Sequence, residues 1–66
     1  MTLDDVLRIM SGVRTLEDCK RAWEVQAEWL REHPEDEVVI DEGEALYMHE
    51  EALKHIEAQK QAQPVA

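Results

Sequence analysis

Apolar residues fall at helical spacing in three separate stretches of this 66-residue chain. Leu3, Val6, Leu7 and Met10 recur at intervals of three and four, which predicts a first helix over residues 3–10. Ser11-Gly12 closes it, glycine being suited to the turn past a helix C-terminus. Leu16, Cys19, Trp23, Ala27 and Leu30 form a second stripe, with Ala22, Val25 and Trp29 widening one flank, and predict a helix over 16–32. In the third stretch, about 35–59, Val39, Leu46 and Leu53 repeat every seven residues, flanked by Val38, Ala45, Ala52 and Ile56. Two similar start signals precede the first two stretches. Thr2-Leu3-Asp4-Asp5 and Thr15-Leu16-Glu17-Asp18 each set a hydroxyl at the N-cap and acids in the first turn, facing the positive end of the helix dipole. The acid three residues after each Thr is Asp, shorter than the usual Glu or Gln, so the predicted capping box is a weak one.

Punctuation and breakers divide the third stretch from the second. His33-Pro34 ends the second helix, because the residue before proline is pushed out of helical angles. Pro34 then suits the first position of the next helix, followed by Glu35, Asp36 and Glu37 at its positive end. Val38-Val39-Ile40 is β-branched and compatible with a short strand, but no second strand is readable to pair with it, and helical spacing continues beyond. Gly43 marks a place for a kink or a break, since Asp41-Glu42-Gly43-Glu44 also carries N-cap and N3 acids. The expected fold is therefore all-α: a short N-terminal helix plus an antiparallel helical hairpin, about three helices. It forms one small domain over residues 1–60, with 61–66 as a flexible tail. In outline the hairpin, with its proline-acid turn and Ala/Leu-rich second helix, resembles one tetratricopeptide unit. It lacks that family's small-residue pattern, and one unit could not cover its own face.

Length sets the next constraint. A chain of this size buries only about 60% of the surface it exposes when unfolded, which leaves it marginal without staples or association. Cys19 has no cysteine partner, and no Cys/His cluster offers four zinc ligands. Self-association would bury more apolar area, so a homodimer or other homo-oligomer is expected. The start has no basic region and no continuous apolar run, which argues against a signal peptide or membrane span, and the single cysteine suits a reducing, cytoplasmic setting.

Charge changes the picture most. The net charge is −9. Between Pro34 and Glu51 stand eight acids (Glu35, Asp36, Glu37, Asp41, Glu42, Glu44, Glu50 and Glu51) and no Lys or Arg. The rest of the chain nearly balances. On a continuous third helix Glu37, Asp41, Glu44, Met48 and Glu51 share one side, opposite the Val39-Leu46-Leu53 stripe. Solubility alone is served by mixed charges in stabilising Glu–Lys pairs, whereas like charges on successive turns cost a few tenths of a kcal/mol each, about what a basic partner would relieve. Direct nucleic-acid binding is disfavoured because phosphates would be repelled. The expected function is a small acidic protein–protein interaction module that docks a basic protein partner through this face. An inhibitor, adaptor or antitoxin-like protein would fit, including one that mimics nucleic acid by presenting carboxylates in place of phosphates. The alternative is a structural or assembly subunit that associates through an apolar helix face containing Trp29.

Other candidate chemistry is thin. Glu42 and His49 point into the predicted apolar arc, where each needs a partner. Glu42 could pair with Arg31, and His49 could be satisfied against the second helix, serve as a pH-sensitive element, or sit with Glu42 at an oligomer seam. His49-Glu50 opens like a zinc-protease helix, but Leu53 occupies the second histidine position and His55 falls on another face. Glu51 and His55, one turn apart, make at most a weak metal pair. Cys19 reads as a buried inert thiol. With two glycines there is no phosphate loop, and a pocket able to enclose a substrate is not expected in so short a chain. No catalytic residue, cofactor or metal site is assigned. Of the two tryptophans, Trp23 is placed in the core and Trp29 on the flank as an interface anchor.

Overall fold

The computed structural model describes residues 1–62, with side chains as far as Lys60. Three helices make up the fold: α1 (Leu3–Ser11), α2 (Leu16–Glu32) and α3 (Glu37–Ala62). Each packs against the other two, and no strand occurs among the described residues. Val38-Val39-Ile40 lies in the first turn of α3, so the β-branched triplet is helical. The expected tail begins within the last turn of α3, and residues 63–66 lie outside the described residues.

Both threonine signals start helices. Thr2 Oγ1 accepts the Asp5 N–H at 3.2 Å while the Asp5 carboxylate accepts the Thr2 N–H at 3.0 Å. Thr15 and Asp18 repeat the exchange at 3.1 and 3.2 Å, and Asp18 also accepts the Arg14 N–H at 3.0 Å. The short aspartates thus close both boxes completely. These hydrogen bonds stabilise the charged carboxylates, and both acids are held below their ordinary range, Asp5 chiefly by the Thr2 N–H and Asp18 chiefly by the Arg14 N–H.

The third helix begins later than its proline suggested. His33 to Asp36 form a turn closed by the Asp36 N–H on the His33 carbonyl at 3.1 Å, with Pro34 in its second position. Proline's fixed φ suits that place as well as a helix start. Asp36 is the cap: its Oδ1 accepts the Val39 N–H at 3.3 Å, and its carbonyl accepts the Ile40 N–H at 3.1 Å. Only Glu37 of the three acids stands in the first helical turn.

Val6, Met10, Val13, Cys19, Ala22, Val25, Val39 and Leu46 form the core of the described residues, and none of them is aromatic. In α2 the buried line runs through Cys19, Ala22 and Val25, while Leu16 and Ala27 of the expected stripe are exposed. The buried line is turned by about 100° from the expected stripe at the helix's 3.6 residues per turn. The reason is geometric. α2 touches two neighbours, so its deepest line lies between them, where the small Cys19 and Ala22 allow close approach. In α3 the contacting line is Val39, Gly43, Leu46 and Leu53. Val38, Ala45 and Ala52, expected to widen it, are exposed.

Gly43 neither breaks nor ends the helix. It is buried, and a Cβ there would run into Gln26 Nε2, whose amide crosses the glycine to donate to the Val39 carbonyl at 3.3 Å. Glycine is here a packing residue that admits a polar side chain from α2.

Candidate acidic docking face

An unbroken α3 decides the geometry of the acidic segment. Glu37, Asp41, Glu44, Met48 and Glu51 are all exposed, and at 1.5 Å per residue they extend along about 20 Å of helix. Met48, fourth of the five, is 72% exposed. Apolar residues border the acids on both sides: Ile40 and Tyr47 on one, Val38 and Ile56 on the other, each at least 42% exposed. The face is therefore a carboxylate row set in an apolar surround.

One end is partly neutralised. Lys54 Nζ lies 3.7 Å from Glu51 Oε1 and 3.9 Å from Glu50 Oε1. Lys54 and Glu51 are both more than half exposed, so this pair contributes little to stability. Within the row it leaves Glu37, Asp41 and Glu44 without an ion-pair partner among the described residues.

Not every acid belongs to the face. Asp36 and Glu50 turn toward α2, where each accepts an indole N–H: Trp29 Nε1 donates to Asp36 Oδ2 at 2.9 Å and Trp23 Nε1 donates to Glu50 Oε2 at 3.2 Å. The Trp29 bond is the main cause of a lowered Asp36 pKa, assisted by the N–H groups of Val39 and Val38. Both tryptophans are half-buried clamps between the helices, so the expected division into a core Trp23 and a flank Trp29 does not hold. Trp29 also stacks on His33, with ring centroids 4.2 Å apart and planes at 27°. Neither Trp–acid pair was anticipated. For Trp29 a signal existed in the capping Asp36 seven residues on, just past the turn, whereas the 27-residue separation of Trp23 and Glu50 gave none.

The remaining candidates resolve simply. His49 is exposed and Glu42 half-buried, because the contacting line centres on Val39, which leaves Glu42 at its edge and His49 beyond it. Arg31 is exposed and takes part in no ion pair among the described residues. Cys19 is buried and free, and its thiol pKa is raised, first by burial and then by the Glu50 and Asp18 carboxylates. His55 pairs locally with Gln59, a ring nitrogen lying 3.1 Å from the amide nitrogen. Among the described residues no group of three or more His, Cys, Asp and Glu is placed to hold a metal ion, and no helix is long and apolar enough to cross a membrane. Comparison of the chain with protein-family models, curated proteins and solved structures finds no match.

Proposed function

We propose that this protein is a small interaction module that docks a basic surface of a partner protein through the outer face of α3, as an inhibitor, adaptor or antitoxin-like protein would. The observation that carries the reading is the continuity of α3 through Gly43, which sets Glu37, Asp41, Glu44 and Glu51 on one exposed side around Met48. Like charges at one-turn spacing repel, and a cationic partner converts that repulsion into attraction. Replacing Glu37, Asp41, Glu44 and Glu51 by Lys is expected to abolish partner capture while the circular dichroism spectrum stays helical. Capture unaffected by the replacement removes the face from the function.

A second reading has its own support. Val38, Ile40, Tyr47, Met48 and Ile56 leave α3 with more exposed apolar surface than its packing needs, as an assembly subunit would. Salt separates the two: an electrostatic complex weakens as ionic strength rises through the physiological range, and an apolar one changes little.

A further inference from the structure

The C-terminal end of α2 holds a cleft of about 270 Å³ lined by Met1, Val25, Glu28, Trp29, Glu32 and His33. That volume lies just under the range of sites that enclose a whole small molecule, and it suits a single inserted side chain. Glu28 and Glu32 sit one helical turn apart, a spacing at which like charges repel. Among the described residues no Lys or Arg lines the cleft, and Arg31, between the two acids in sequence, is not part of it. Trp29 is fixed from two directions, by its N–H bond to Asp36 and by its stack on His33. An aromatic face held in place beside two carboxylates attracts an organic cation.

We propose that this cleft receives an arginine side chain of the basic partner, its guanidinium against the Trp29–His33 pair and directed to Glu28 and Glu32, its stem along Met1 and Val25. Arginine is favoured over lysine because its planar group stacks on rings, is weakly hydrated, and presents a fork of donors to carboxylates. The assignment rests on the reading of the protein as a docking module, but it uses residues apart from the α3 face.

The test follows the two indole N–H signals of the full chain by NMR while N-acetyl-arginine methylamide is added. A saturable shift of the Trp29 signal in the millimolar range is expected, with Trp23 unmoved as the internal control for fold. The lysine analogue is expected to bind about threefold more weakly, and Glu28→Gln with Glu32→Gln to weaken the arginine probe about fivefold. No saturation, equal movement of both indoles, or a double variant that binds like the parent overturns the site. Equal binding of the lysine analogue overturns the choice of arginine. The α3 charge-reversed variant keeps Glu28 and Glu32. Absence of a probe response in the parent, with capture lost in the charge-reversed variant, therefore rejects the cleft and leaves the α3 face standing, whereas a probe response with capture unaffected by the charge reversal rejects the face alone.

Discussion

In α1 and α2 apolar side chains go where packing uses them. Leu3, Val6, Leu7, Ile9 and Met10 are buried or half-buried against the core, and in α2 only Leu16 and Ala27 are left outside. In α3 the balance is reversed. Val39, Leu46 and Leu53 pack inward, whereas Val38, Ile40, Tyr47, Met48 and Ile56 lie on the surface, with Tyr47 56% and Val38 51% exposed. The caps differ as well, two reciprocal Thr–Asp boxes for the first two helices against a single aspartate after a proline turn for the third. The first two helices carry a pattern sufficient for this fold. The third carries that pattern on one line and, around the rest of its circumference, acids and apolar residues that three-helix packing does not call for.

The largest effect that would sharpen this contrast sets nearby positions of α3 against each other. Leu46 is 2% exposed, and Leu46→Ala removes a side chain at the meeting of the helices, at a cost of about 2–5 kcal/mol. In so small a domain that approaches the whole stability. Met48→Ala, two residues on, is expected to change stability by no more than about 0.5 kcal/mol. Urea unfolding of both variants checks the pair. Similar costs at the two positions would mean that the outer face is packed, and the contrast between the helices would fall.

A smaller effect is expected at the caps. Thr15→Ala leaves the Asp18 N–H without its acceptor, for about 1 kcal/mol, or about 4–8 °C in Tm for a domain of this length. The capping acids add a pH dependence whose sign is fixed. Asp5, Asp18 and Asp36 are all depressed in the folded state, so they bind fewer protons there than in the unfolded chain. Their stabilisation is complete above the ordinary aspartate pKa of about 3.9 and is lost as pH falls through the lower folded values. Asp18→Asn is expected to lower stability at pH 7 and to lose less on acidification than the parent. Melting curves at pH 7 and pH 3 measure both. Parallel loss in variant and parent would detach Asp18 from the acid response.

Much of this architecture was legible in the sequence. Helix number, the bounds of α2, both threonine caps and the shared side of Glu37, Asp41, Glu44, Met48 and Glu51 followed from spacing and cap chemistry. Which line of each helix faces its neighbours did not. Periodicity finds the richest apolar stripe, such as Leu16-Cys19-Trp23-Ala27-Leu30, but a helix wedged between two others buries the line between them. Small or polar residues at close crossings, here Ala22, Gln26 and Gly43, are invisible to a hydrophobic pattern. Asp36 and Glu50 were read as charge because their indole partners lie on another helix. Pro34 was misplaced by its local context, since one fixed φ serves both a helix start and a turn.

The smallest effect concerns Gly43, where α2 and α3 touch through a polar side chain. Alanine in mid-helix gains about 1 kcal/mol over glycine. In this protein the added Cβ meets Gln26, since the three nearest atoms all belong to that side chain. The amide must swing aside and give up its bond to the Val39 carbonyl, which offsets about 1 kcal/mol. Gly43→Ala alone is therefore expected to be close to neutral. In a Gln26→Ala background the obstruction is gone, and the same substitution is expected to stabilise by about 1 kcal/mol. Equal stabilisation in both backgrounds would remove Gln26 from the crossing, and equal destabilisation would point to backbone contact. The variants also bear on the outer face. Gly43→Ala stiffens α3 from its inner side and leaves the carboxylates in place, so partner capture that depends on a continuous helix is expected to survive the substitution.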